Sequence, residues 1–259
     1  MDLRPIGVFD SGVGGVSLLR HLRAELPGET FLYYNDCLNA PYGTRQEAEI
    51  RALADRVVDF LLAKDIKALV IACNTATSAA AAELRERLTI PVFGIEPALK
   101  PASEMLREGE RALVMATPAT LRQKKFADLY AKYGAGAEVL PCPGLMEFVE
   151  RGELGGEELE RYLTDLFENV PDRDKIRVVV LGCTHYSFLK DAIAKYFPQA
   201  ALIDGNDGTA RQVRRVLTEK SLLSDAEEGK CVFFRSGDSD EKIRFMAELL
   251  KKNEEKPIS

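Results

Sequence analysis

Residues 178–186, VVVLGCTHY, run from an apolar stretch straight into a thiol, a hydroxyl and an imidazole at Cys183, Thr184 and His185. The apolar part has the character of a buried strand, and its polar end asks for a reason. A second stretch, ALVIACNTAT over 68–77, has the same shape and ends in Cys73, Asn74 and Thr75. Working outward, IGVF, TFLYYN, ALVIAC, PVFGI, ALVMAT, AEVLPC, RVVVLGC, ALID and CVFF all read as strands. Between them, pieces such as QEAEIRALADRVVDFLLAKD and AAAELRERL carry apolar residues three and four apart, the period of an amphipathic helix. Strands too apolar to face water, alternating with helices, predict an α/β fold of mostly parallel sheets flanked by helices. Ligands of such folds bind beyond the carboxyl ends of strands, where Cys73 and Cys183 stand.

The two cysteine segments occupy corresponding places in two similar halves. Each follows a strand with a polar end, VFDSG or VMATPAT, and each precedes a helix and a further strand, PVFGIE or ALIDGN. The break falls in GIEPALKPASEM, where Pro97 and Pro101 interrupt the pattern. The segment from about Gly205 holds a long helix, a strand and a terminal helix that can cross back to the first half. Two domains are expected, residues 1–97 with 207–259 and residues 98–206, and the last residues, KKNEEKPIS, are expected to fray.

A chain of 259 residues buries a core without staples. Its 46% hydrophobic and 29% charged residues are those of a soluble globular protein, and no apolar run approaches the roughly 20 residues that span a bilayer. The start, MDLRPIGVFD, lacks a basic segment followed by an apolar one, so a cytoplasmic location with reduced cysteines is expected, and no membrane partner. Five cysteines without a Cys-x-x-Cys pair, and two histidines, argue against zinc or iron–sulfur sites. A net charge of -6 without tryptophan or a long basic run argues against nucleic acid. A small polar ligand is the natural partner.

Free cysteine usually serves as a small buried hydrophobe, and Cys37, Cys142 and Cys231 are expected to do so. Cys73 and Cys183 differ in the polar residues that follow them, because a cysteine at a helix N-terminus with nearby donors has a stabilised thiolate. Each stands open between a structural and a functional reading. Two thiols aimed at one cleft from facing strand ends would suit removal of a proton from one face of a carbon and return of another to the opposite face. In GVFDSGVGGVSLL, the glycines Gly7, Gly12, Gly14 and Gly15 match neither G-x-G-x-x-G nor a P-loop. They make either a plain tight turn or a backbone that closely approaches a small ligand, with Ser11 as donor and acceptor and Asp10 meeting an ammonium group or relaying a proton. Pro41, Tyr42 and Gly43 of APYGTR carry little weight alone. His185 is either a core histidine or a group that tunes the adjacent thiol or holds a carboxylate.

Taken together and in this order, GVFDSGVGG, PYGTR, ACNTAT and LGCTHY resemble the glutamate racemases of the cofactor-independent aspartate/glutamate racemase family, over about Ile6 to Asp207. The resemblance implies two pseudo-symmetric domains with glutamate between them, no cofactor, and inversion by Cys73 and Cys183 on opposite faces of Cα. By the family's usual assignment Cys73 takes the proton from D-glutamate and Cys183 from L-glutamate. It further implies substrate contacts at Asp10, Ser11, Pro41, Tyr42, Gly43, Asn74, Thr75, Thr184 and His185, with Asp10 and His185 auxiliary. The family's assisting acidic residue falls on Glu150, with Glu147 the alternative. A homodimer and a part in supplying D-glutamate to peptidoglycan are expected. The chain departs from the family at YYNDCLNAPYG, where many members are closer to YFGDTARVPYG, and at Ser187, where proline often follows the histidine motif. Two other readings stay in view: a racemase of another acidic amino acid, and a binding or redox-sensing protein that kept the cleft.

Overall fold

The computed structural model describes residues 1–237 and 240–252, so the expected fraying from residue 253 onward lies outside the described residues. β1 (Ile6–Asp10) leads through α1 (Val16–Glu25), β2 (Phe31–Asn35), α2 (Glu47–Leu62), β3 (Ala68–Ile71) and α3 (Asn74–Arg87) to β4 (Val92–Gly94). Then come α4 (Leu99–Met105), β5 (Arg111–Ala116), α5 (Pro118–Arg122), α6 (Lys124–Tyr133), β6 (Ala137–Pro141) and α7 (Leu145–Glu150). They are followed by α8 (Glu157–Glu168), β7 (Ile176–Leu181), α9 (Lys190–Ala194) and β8 (Ala201–Ile203). α10 (Asn206–Glu219), β9 (Cys231–Arg235) and α11 (Asp240–Lys252) close the described chain.

Among the described residues these strands form two parallel sheets, ordered β4-β3-β1-β2-β9 and β6-β5-β7-β8. Reversing the second gives β8-β7-β5-β6, the order of β4-β3-β1-β2. The repeat seen in the sequence is thus one of topology, with β1 equivalent to β5 and β3 to β7. Matching main-chain bonds close the equivalent ends: the Ala72 N–H donates to Phe9 O at 2.8 Å and the Gly182 N–H to Met115 O at 2.7 Å. β9 returns from the far end of the chain to pair with β2, Phe31 opposite Cys231.

Side-chain alternation along each strand assigns the cores. Val8, Val70, Leu113, Met115 and Val179 enter one core shared by both sheets, joined by Leu18, Tyr186 and Met246. Phe9, Leu69 and Ile71 face an outer core under α2, whose Ile50, Leu53, Ala54, Val57, Val58 and Leu61 form its apolar stripe. Val114, Val178 and Val180 face another, with Leu99 and Phe126. α3 presents Ala76, Ala79, Ala80 and Ala81, small residues that let its axis lie close to the sheet. A buried ion pair, Lys67 Nζ to Glu29 Oε2 at 2.6 Å, fastens the start of β3 to the entry of β2. Glu29 Oε1 also accepts from the Ser224 N–H on the way to β9.

The structure corrects two local expectations. Cys142 is buried, but Cys37 and Cys231 are only half-buried, and the Cys37 thiol donates to Ser236 O at 3.1 Å. Cys73 is the N-cap of α3, whereas Cys183 precedes a 3-10 turn, Thr184–Leu189, so only the first thiol sits at an α-helix N-terminus. No helix among the described residues is long and apolar enough to cross a membrane.

Candidate active site

The carboxyl ends of the two sheets meet. From β1, Asp10 turns inward with no exposure, its Oδ1 accepting from the Gly12 N–H at 2.8 Å and the Ser11 hydroxyl at 3.3 Å. Its Oδ2 accepts from the Thr184 hydroxyl of the other half at 2.9 Å. Burial pushes the Asp10 carboxyl up to about 6, although the charge on His185 and the bonds from Gly12 and Thr184 pull the other way.

Cys73 lies beside Asp10, 6% exposed. Its Sγ accepts from the Ala76 N–H at 3.4 Å and lies 3.6 Å from Ser11 Oγ. Burial and the Asp10 charge push this thiol up to about 12. The expectation of a stabilised thiolate at a helix N-terminus is therefore overturned here. One N–H and one hydroxyl at long distances do not offset removal from water.

Cys183, 8% exposed, stands in another setting, its Sγ 3.6 Å from His185 Nδ1. His185 is itself buried, with Nε2 2.9 Å from Glu150 Oε1 and 3.2 Å from the Gly14 nitrogen. Burial alone would lower the imidazole, but its bonds to Cys183 and Glu150 hold it well above its ordinary value. The protonated ring has no lone pair for Gly14, so we assign Nε2–H as donor to Glu150. Burial would likewise raise Glu150, yet the bonds and charges of His185 and Lys242 hold its carboxyl down at about 2. Glu150 Oε1 also accepts from the Val13 N–H at 2.7 Å, and Oε2 from Lys242 Nζ at 2.7 Å. Glu147, one turn earlier on α7, makes none of these bonds, so of the two acidic residues only Glu150 meets His185.

The glycine run acquires a cause. A Cβ on Gly12 would lie 2.0 Å from Glu150 Oε1, and one on Gly14 would lie 2.3 Å from His185 Nδ1. What the backbone approaches so closely here is the protein's own imidazole and carboxylate.

On the opposite wall, Asn74 and Thr75 open α3, and both are buried. Thr75 Oγ1 lies 3.0 Å from both Thr117 Oγ1 and Thr120 Oγ1, joining the two halves through three hydroxyls. Gly43 packs tightly on Thr117, where a Cβ would lie 3.0 Å from the threonine Cβ, Pro41 is half-buried before it, and the Tyr42 hydroxyl donates to Asp36 Oδ2 at 2.6 Å. The structure thus gathers Asp10, Ser11, Cys73 and Thr184 into one bonded group and Cys183, His185 and Glu150 into another, the two meeting at the Val13 and Gly14 main chain, with Pro41, Tyr42, Gly43, Asn74 and Thr75 nearby. Sequence reasoning missed Lys242, Thr117 and Thr120. Only the threonines left a signal, in the polar end of VMATPAT. A groove of about 1820 Å³ between the halves is walled by Ser17, His21, Glu96, Ser187 and Asp204 among others, and neither thiol lines it. Both cysteines are buried, though neither completely.

The family model described as Asp/Glu/Hydantoin racemase matches residues 6–213. The chain belongs to that racemase family. A protein named glutamate racemase from Clostridium botulinum is 48% identical over 237 residues, covering 90% of this chain and 91% of that one. The crystal structure of glutamate racemase from Thermus thermophilus in complex with β-chloro-D-alanine is 36% identical, with a TM-score of 0.79 over 96% of this chain and 94% of that one. The Francisella tularensis glutamate racemase in complex with D-glutamate is 30% identical, with a TM-score of 0.83 over 97% and 95%. Membership makes the chain a racemase, and the matched span covers both thiol segments but ends within α10, before β9 and α11.

Proposed function

We propose that this racemase interconverts L- and D-glutamate by two-thiol proton transfer at Cα without a cofactor, and so supplies D-glutamate for peptidoglycan. The observation that carries the reading is the placement of Cys73 and Cys183 on equivalent ends of β3 and β7, in opposite electrostatic settings. The named activity of the relatives, at 48% identity over most of both chains, supports glutamate as the substrate.

In the L-to-D direction the Cys183 thiolate takes the Cα proton and becomes a thiol. The Cys73 thiol gives its proton to the opposite face and becomes a thiolate. The electron pair left on Cα is used in the new C–H bond, so nothing is oxidised or reduced. The Cα proton is far less acidic than a thiol, so the cleft must supply preorganised donors and exclude water. Ser11, Asn74, Thr75 and Thr184 are the donors we assign to the carboxylates, with Asp10 toward the ammonium group and Pro41, Tyr42 and Gly43 walling the cleft. Burial of both sulfurs supports a cycle in which residues 1–97 with 207–259 open and close against 98–206. We further assign a cytoplasmic homodimer, which sedimentation of the purified chain would test.

Incubation in heavy water decides the chemistry. Product glutamate should carry deuterium at Cα, and Cys73→Ser and Cys183→Ser should each abolish full turnover. Either mutant racemising at the wild-type rate would exclude the two-thiol mechanism.

A further inference from the structure

Glu150 is held from the far end of the chain. Lys242 sits on α11, outside the span of the family match, and its Nζ donates to Glu150 Oε2 at 2.7 Å and to the Glu150 carbonyl at 2.8 Å. That carbonyl lies at the end of α7, where an ammonium group satisfies an open acceptor and faces the negative end of the helix dipole. The Glu150 carboxylate is only 14% exposed, so this is not a solvated surface pair of negligible weight. Both its oxygens are engaged: Oε2 by Lys242, and Oε1 by the Val13 N–H and His185 Nε2. With Oε2 anchored, the carboxylate cannot rotate away from the imidazole that faces Cys183.

The anchor reaches across the fold. α11 packs on α1 and β9 and sends Met246, Leu249 and Leu250 into the shared core. Glu150 and His185 belong to the α7 and post-β7 segments of the other half. α11 therefore contributes, from one half of the fold, a bond to the group that faces Cys183 in the other.

We propose that Lys242 is a positioning residue for the half-reaction at Cys183, acting through Glu150 and His185. The inference rests on the two-thiol reading above and adds an asymmetry to it, since the bonds that surround Cys73 include none from α11. Enantiomers have equal free energy, so kcat/KM must stay equal in the two directions in any variant. Losing Lys242 cannot favour one direction. It changes which proton transfer limits the rate, and isotope effects report that.

The test uses the full chain with Lys242→Met and Lys242→Arg, measuring kcat/KM for Cα-protonated and Cα-deuterated L- and D-glutamate. Lys242→Met should lower kcat/KM at least roughly tenfold in both directions, the loss expected of one charged hydrogen bond. The isotope effect with deuterated L-glutamate should rise, because abstraction by Cys183 becomes limiting, while that with deuterated D-glutamate falls toward unity. Lys242→Arg should restore most of the rate and the wild-type isotope pattern. Should Lys242→Met not fold, Lys242→Gln, which keeps a donor without the charge, carries the same expectation. An unchanged kcat/KM, or isotope effects that stay put, move together or shift in the opposite sense, would overturn the proposal. Failure of the wild type to racemise glutamate would instead sink the reading beneath it.

Discussion

Replacing Glu150 by glutamine keeps the shape of the side chain and removes its charge, which isolates the ionic link between His185 and Lys242. The Glu150 carboxyl falls from an ordinary 4.5 to about 2 in the folded protein. At about 1.36 kcal/mol per pH unit, that is about 3 kcal/mol of folding stability. The sign follows from proton counting. Between pH 2 and 4.5 the unfolded chain binds the proton that the folded one refuses, so this stability is complete above 4.5 and is lost as the pH falls toward 2. Asp10 works oppositely: raised to about 6, it takes up a proton on folding between about pH 4 and 6, so its contribution declines as pH rises through that window. Because Asp10 is present in both proteins, its effect largely cancels in the difference. Urea unfolding of wild type and Glu150→Gln at pH 7, 5 and 3 measures that difference through the midpoint and slope. The variant should be less stable by about 3 kcal/mol at pH 7 and pH 5, with the gap shrinking at pH 3. At pH 7 the melting temperature should fall by about 6–12 °C. A gap that is constant from pH 3 to 7, or absent at pH 7, would refute the assignment of a buried carboxylate paired with two cations.

Gly14→Ala places a Cβ where His185 Nδ1 lies 2.3 Å away, so the imidazole must shift. Turnover should drop roughly a hundredfold, the order of effect of an ångström-scale misplacement, and wild-type turnover would show that the ring position is not needed. Lys67→Met strands the Glu29 carboxylate beside a vanished partner and should cost about 3–5 kcal/mol in urea unfolding. Adding Glu29→Gln should recover part of that loss, and a fully additive double variant would contradict the pairing. Because burial lifts the Cys73 thiol to about 12, its alkylation by iodoacetamide, followed by peptide mass spectrometry, should keep accelerating from pH 9 to 11. A plateau near pH 9 would mean that the burial penalty is offset by donors other than Ala76 and Ser11.

The strand framework was legible because each strand is an apolar run bounded by polar turns, a signal that survives without knowledge of partners. The equivalence of Cys73 and Cys183 was legible for the same reason, since strand order repeats where run order repeats. Contacts between distant segments were not. The space beside Gly12 and Gly14 is filled by Glu150 and His185, far along the chain, so the glycines announced a close approach without naming what approaches. Lys242 lies on an amphipathic helix, where a lysine has the look of a solvated face, and only the packing of α11 brings it to Glu150, 92 residues away. Thr75, Thr117 and Thr120 each suggest a local cap or turn, and their meeting requires both halves to be folded. The Cys73 environment misled for an electrostatic reason: a helix N-terminus lowers a thiol only where water or further donors remain, and burial removed the water.

The two thiols are equivalent in topology and unlike in chemistry, and a two-base reaction needs both properties. Equivalent strand positions do not face the shared core alike: Val70 enters it while Val180 lies on the outer face, and Cys183 joins it while Cys73 packs with the outer core of the first sheet. The two thiols therefore pack against different cores. Identical surroundings would leave two thiols or two thiolates at rest, and neither pair can give and take a proton in one passage. Burial and Asp10 hold Cys73 as a thiol, while a protonated His185, itself held by Glu150, sets a positive charge against Cys183. In the two-thiol reaction proposed above, that asymmetry fits Cys183 to receive the proton of L-glutamate and Cys73 to give one.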